Sequence, residues 1–198
     1  MQEACLRGVK IGVVMTGSHC TIGDVLPYLK VLKQEGADIY PIFSYTVDEV
    51  DNRFYSVESL KKAIAEISSN PIINTIVAAE PIGPQKLLDI IVVVPATGNT
   101  IAKLANGIVD TPALMAVKAQ LRNQRPVVIA VSTNDALGIN ARNIGILLNM
   151  KNIYFVPFRQ DNPDEKANSL LASMDKILDT ILRALQGKQI QPLLLGPA

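Results

Sequence analysis

Asp89–Val94, DIIVVV, and its near twin Pro126–Val131, PVVIAV, decide the fold. Neither run alternates apolar with polar residues. A strand with one face in water would alternate, so these two are covered on both faces, as in a parallel sheet with helices above and below. Working outward, Lys10–Met15 (KIGVVM) is a short apolar run that stops at Thr16-Gly17-Ser18 and reads as the first strand. Asp38–Ser44 (DIYPIFS) reads as the second, and a weakly marked strand is expected near Thr75–Ala78. Asp24–Gln34 carries apolar residues at helical spacing and stops before Gly36. Ser56–Ser69 opens on a partial capping box, with Ser59 rather than Glu three residues after Ser56. Leu171, Met174, Leu178, Ile181 and Leu185 fall on one face of an expected carboxy-terminal helix. The expected architecture is α/β, a single-domain doubly wound parallel sheet over residues 1–198. Asn162–Glu165 reads as a loop, and the Pro-rich end from about residue 187 as a loose tail.

Composition narrows the function. Hydrophobic residues make up 48% of the 198, enough for one sizeable core and too many for a disordered chain. The formal charge is +1 with no basic block, which gives no footing for nucleic acid. The amino-terminal apolar run is too short for a signal peptide or a membrane span. Cys5 and Cys20 cannot build a disulfide framework, and no metal-binding spacing occurs, so the expected setting is a reducing cytoplasm.

In a doubly wound sheet, ligands bind beyond the carboxyl ends of the strands. Three strand ends here run into small polar residues: Thr16-Gly17-Ser18, Pro95-Ala96-Thr97-Gly98-Asn99-Thr100, and Ser132-Thr133-Asn134-Asp135. One such loop is ordinary turn chemistry, but three on one edge make a ligand crevice. Helix amino termini there offer free N–H groups and a positive dipole end to a phosphate. The first loop, TGSHCTIG, lacks the G-x-G-x-x-G dinucleotide fingerprint, and no G-x-x-x-x-G-K-[ST] cradle occurs. A mononucleotide remains.

These residues resemble the flavoprotein family of flavin-containing cysteine decarboxylases. Its central motif, P-A-T/S-A-N-T-x-x-K-x-A-x-G-x-x-D, stands here as Pro95-Ala96-Thr97-Gly98-Asn99-Thr100, Lys103, Ala105, Gly107 and Asp110. Its Gly-Ser pair after the first strand stands as Gly17-Ser18, and its second-strand hydroxyl as Ser44. The resemblance covers roughly Lys10 to Leu185. It implies a Rossmann-like flavoprotein fold that binds FMN through Gly17, Ser18, Ser44, Pro95, Ala96, Thr97, Gly98, Asn99, Thr100, Lys103 and Ser132. It also implies a homo-oligomer, a trimer or a multiple of it, because relatives build the flavin site between subunits. Lys103 reads equally as a solvated charge, and Asp110 as the cap of the helix that Pro112 begins.

The departures carry as much information. Family decarboxylases place a catalytic His a few residues before the central strand; spacing puts Pro81 there, and proline moves no proton. The later P-x-M-N motif is reduced to Ser132-Thr133-Asn134. Decarboxylation of a peptidyl cysteine is therefore not expected. The departures fit a branch of the family that oxidises dihydrodipicolinate to dipicolinate during spore formation. That resemblance implies an NAD(P)-binding partner A chain, because no second glycine-rich turn is present here to hold a dinucleotide. Asn134, Arg142 and Asn143 are candidates to bind the dicarboxylate, since a guanidinium can clasp a carboxylate with two hydrogen bonds; Arg142 reads equally as a helix-surface charge. His19, the sole histidine, is the candidate for catalytic proton handling, with a structural role as the alternative. Cys20 beside it reads as a small packing residue or a reactive thiol. A family decarboxylase with another base, and a scaffold subunit with a vestigial flavin site, are the rival readings.

Overall fold

The computed structural model describes residues 4–196. Its strands are β1 (Lys10–Met15), β2 (Asp38–Phe43), β3 (Ile90–Ala96), β4 (Val127–Thr133), β5 (Ile153–Phe155), β6 (Phe158–Arg159) and β7 (Leu170–Ala172). The helices are α1 (His19–Gln34), α2 (Tyr45–Glu49), α3 (Val57–Ile67), α4 (Ile76–Ala79), α5 (Gly98–Ala105), α6 (Pro112–Arg122), α7 (Asn140–Leu148) and α8 (Ile177–Leu185). They form one sheet in the order β2-β1-β3-β4, with β5 pairing parallel to the first half of β4. Against the last two residues of β4, β7 pairs antiparallel and carries β6. The parallel expectation therefore holds for the five principal strands, while a short antiparallel ribbon extends the far edge.

The unalternating strands divide their side chains between two cores. Ile90, Val92 and Val94 pack with α1, α3 and α8 residues such as Leu29, Leu60 and Ile181. Ile91 and Val93 face the other way, into the layer containing Ala116 and Val117 of α6 and Leu147 of α7. Both faces of β3 are thus covered, which is why the run needs no polar residue. Gly12 permits this packing: a Cβ there would stand 2.6 Å from Leu88 Cδ1 and 2.9 Å from Ile91 Cγ1.

Four local expectations are corrected. Thr75–Ala78 is not a strand; Thr75 caps α4, its hydroxyl accepting from Ala78 N at 3.1 Å. The strand-like pairing falls just before it, as a bridge between Ile73 and Ile42. The carboxy-terminal stripe is split, since Leu171 lies on β7 and Met174 in a 3₁₀ turn, and only Leu178, Ile181 and Leu185 belong to α8. The tail is docked: Phe158 N donates to Leu193 O and Leu195 N to Phe158 O, at 3.1 and 3.0 Å. Pro197 and Ala198 lie outside the described residues. Asp110 does not cap α6; Thr111 does, accepting from Leu114 N at 3.2 Å. By contrast, the Ser56 cap forms as expected, accepting from Ser59 N. No helix among the described residues is long and apolar enough to cross a membrane.

Candidate functional site

The order β2-β1-β3-β4-β5 reverses direction between β1 and β3, the position where an open α/β sheet forms its crevice. The loops after β1 and β3 meet there and are tied together. Thr16 Oγ1 donates to Pro95 O at 2.7 Å and accepts from Thr97 N at 3.1 Å. Thr97 then caps α5, its hydroxyl accepting from Thr100 N. On the other side, Ser132 Oγ at the end of β4 bonds Ser18 Oγ at 2.7 Å and Thr21 Oγ1 at 2.8 Å. These hydroxyls fasten the ends of β1, β3 and β4 to one another.

The crevice has two lobes of about 520 Å³ each, and Gly17, Thr97 and Asn99 border both. The first lobe lies over β4 and includes Ser18, Gly98, Ser132, Asn134, Asp135 and Lys166 in its wall. The second lies over β2 and includes Thr16, Ser44, Thr46, Thr100, Lys103 and Asp110. Of the expected cofactor residues, Ser44, Thr100 and Lys103 meet in the second lobe, and Ser18, Gly98 and Ser132 in the first. Pro95 and Ala96 line neither lobe; both side chains are buried at the end of β3, and Pro95 acts through its carbonyl. Lys103 Nζ is paired with Asp110 at 2.6 Å at the mouth of the second lobe.

Gly98 occupies a tight place. A Cβ on it would stand 2.6 Å from Asp135 Oδ1 and 2.7 Å from both Asn140 Nδ2 and Thr133 Oγ1. Those three atoms belong to one hydrogen-bonded group: Asp135 accepts from Thr133 Oγ1 at 2.5 Å and from Asn140 Nδ2 at 2.8 Å. Asn140 in turn accepts from Asn143 Nδ2 at 2.8 Å, which accounts for the buried Asn143.

The substrate and catalytic candidates fare differently. Asn134 lines the first lobe, where its Oδ1 accepts from Ser169 Oγ at 3.3 Å. Arg142 does not line the lobe; it is exposed on α7. Its place in the lobe is taken by three carboxylates, Asp24, Asp135 and Asp161, facing the single cation Lys166. His19 lines neither lobe but a smaller, mostly apolar cavity of about 310 Å³ behind them, with Tyr55 and Phe54. Cys20 is not a packing residue: it is exposed on the rim between that cavity and the first lobe. Pro81 sits in a 3₁₀ turn, Glu80–Ile82, packed against α6 and away from both lobes. Asp135 reads only as part of the Ser132–Asp135 strand-end loop, and Thr46 and Lys166 escaped the sequence reading. Thr46 alone had a signal, two residues beyond Ser44 in the same post-strand loop.

A family model described as Flavoprotein matches residues 1–186. The chain belongs to the flavoprotein family. This flavoprotein is 46% identical over 190 residues to the B-type subunit of dipicolinate synthase of Bacillus subtilis, an alignment covering 96% of this chain and 95% of that one. It superposes on the crystal structure of the B-type dipicolinate synthase subunit from Bacillus halodurans with a TM-score of 0.90 and 46% identity, over 98% of this chain and 99% of the other. The structure described as the FMN-dependent cysteine decarboxylase SpaF shares the fold, with a TM-score of 0.61 at 21% identity over 92% and 98% of the two chains.

The second lobe of this flavoprotein is lined mainly by hydroxyl and amide side chains. Ser44 Oγ is buried and has no hydrogen-bond partner, and it belongs to a residue only 8% exposed. A buried hydroxyl left unpaired costs free energy, on the order of 1–3 kcal/mol, so a partner reaching it from the lobe would be stabilised. Across the lobe, α5 begins at Gly98, and Asn99 and Thr100 of its first turn line the same space.

Proposed function

We propose that this flavoprotein is the B-type chain of a dipicolinate synthase, holding FMN and taking part in the oxidation of dihydrodipicolinate to dipicolinate. The observation that carries the reading is near-full-length likeness, 46% identity over 96% of the chain, to a protein of that name. The crevice supports it from the physical side. In the β2-β1-β3-β4-β5 order, the β1/β3 switch point is where flavodoxin-like folds hold FMN. Ser44 and Thr46 would take the phosphate; Thr97, Asn99 and Thr100 would reach the ribityl hydroxyls. When bound, the flavin supplies two-electron redox chemistry. Asn99 is exposed at the border of the two lobes, where it can orient whatever spans them.

The oxidation removes a hydride and a proton from the dihydropyridine ring, and a nicotinamide on a partner A chain is the expected hydride acceptor. This chain carries no glycine-rich dinucleotide turn. The substrate brings two carboxylates, yet the first lobe already holds three. Like charges at such range disfavour anion binding, so the cations that hold the dicarboxylate come from outside this chain's first lobe. A second copy or the A chain is the source. We place the protein in the cytoplasm, in the mother cell of a spore-forming bacterium. Turnover tests the partnership. The purified chain with dihydrodipicolinate and NAD(P) should give no reduced nicotinamide, and adding the A chain should restore it; the full rate from this chain alone would overturn the reading.

We also propose a homo-oligomer, a trimer or a multiple of it. Ile108, Leu148 and Met150 are exposed near the α5 and α7 ends, and Ile139 is 81% exposed. Large apolar side chains grouped at a surface mark an interface. Sedimentation at micromolar concentration should show no monomer; a stable monomer would refute the assembly.

A decarboxylase of the same family is the second reading. Pro81 speaks against it, standing where spacing expects the family's catalytic His.

A further inference from the structure

His19 is held in a way that fixes its chemistry. It begins α1, immediately after the Ser18 cap residue. Its Nδ1 lies 2.6 Å from Tyr55 Oη and 3.1 Å from Asn52 Nδ2. The Asn52 amide cannot be turned round without loss, because its Oδ1 accepts from Phe54 N at 2.9 Å and Tyr55 N at 3.3 Å. An amide nitrogen only donates. The Tyr55 hydroxyl can donate or accept, so it follows the tautomer that Asn52 sets and donates to Nδ1. With donors on that side, Nδ1 carries the lone pair, and the proton of the neutral ring is on Nε2.

Nε2 is the free end. It makes no hydrogen bond among the described residues, and it lies behind Gly17, a residue of the second lobe's wall. A Cβ on Gly17 would lie 3.7 Å from His19 Nε2 and 3.3 Å from Thr46 Cγ2. Gly17 and Thr46 line that lobe together with Ser44, whose buried hydroxyl has no partner. We infer that His19 is a fixed Nε2–H donor to the phosphate of the flavin, oriented by Tyr55 and Asn52, and not the proton carrier of the reaction. The inference rests on the flavin reading above. Acting as a base at Nε2 would demand the other tautomer, with a proton on Nδ1 facing the Asn52 donor.

The single histidine makes the test direct. Long-range proton–nitrogen correlation spectra of the intact chain at alkaline pH should show the neutral form protonated at Nε2, and Tyr55→Phe combined with Asn52→Ala should let the other tautomer appear. Flavin titrations supply the second readout. His19→Ala should weaken FMN by about tenfold, the worth of a hydrogen bond to a charged group. Riboflavin, which lacks the phosphate, should bind the variant and the wild type alike. His19→Gln, whose amide nitrogen reaches the Nε2 position, should keep FMN affinity within about threefold. An Nδ1–H tautomer, unchanged FMN affinity in His19→Ala, or equal losses for both flavins would overturn the inference. A wild-type chain that binds neither flavin removes the flavin reading itself; flavin binding indifferent to His19 removes only this step. Should His19→Ala fail to fold, the Gln variant and Tyr55→Phe combined with Asn52→Ala carry the same test through the tautomer and the FMN-to-riboflavin ratio.

Discussion

Gly98→Ala is expected to lower the melting temperature by roughly 2–12 °C and to weaken FMN binding with it. The cost comes from overpacking, about 1–3 kcal/mol, which for a chain of this length converts at roughly 2–4 °C per kcal/mol. The new methyl would meet Asp135 Oδ1, Asn140 Nδ2 and Thr133 Oγ1 at 2.6 to 2.7 Å. None of these can step aside alone. Thr133 is β-branched and stiff, and the other two are hydrogen-bonded through Asp135, so relief breaks the Thr133–Asp135 and Asn140–Asp135 bonds. The family motif carries Ala at this position, and the Asp135 carboxylate occupies the room that its methyl would take. The sharper test is therefore the double variant. Asp135→Ala combined with Gly98→Ala should recover part of the loss, with a coupling of about 0.5–3 kcal/mol as expected for residues in contact. Calorimetry on the two single variants and the pair checks this. An unperturbed Gly98→Ala melting curve, or strict additivity, would refute the tight-cradle account.

The principal sheet was legible because its signal is local and repeated. Ile90–Val94 and Val127–Val131 send alternate side chains into two different cores, so both faces select apolar residues and the strands read as unbroken runs. The failures have equally specific causes. Thr75 is β-branched and looked like strand, but its hydroxyl was needed as a helix cap. Leu171 and Met174 fit a helical period with Leu178 and Ile181 only because a strand and a 3₁₀ turn present them to the same core. The tail read as loose because its prolines and glycines suggested no element. Its backbone nonetheless pairs with Phe158, a contact 35 residues distant that no local pattern announces.

The site divides the same way. Polar loops at three strand ends were visible, and the structure gathers them at one edge. What was hidden depends on long-range approach. The second lobe's division from the first follows from Thr16 bonding Pro95 and Thr97, about 80 residues away. Arg142 and Asp135 sit in the same polar segment, and nothing in their spacing says which reaches the crevice. The helix turn places Arg142 outside, while Asp135 folds back over Gly98.

The central claim, that the second lobe is a flavin phosphate site, is tested most directly by titrating FMN into the wild-type chain and Ser44→Ala while measuring the stability of both without ligand. In the free protein the Ser44 hydroxyl is buried and unpaired, so deleting it should leave the melting temperature unchanged or slightly raised. With FMN present, the same hydroxyl donates to a charged phosphate, and its loss should weaken binding by about 10- to 100-fold. The account predicts saturable flavin absorbance on the wild-type chain and that opposition of effects in the variant. A wild-type chain that stays colourless after FMN is added and the excess removed, or a Ser44→Ala chain with undiminished FMN affinity, would contradict it.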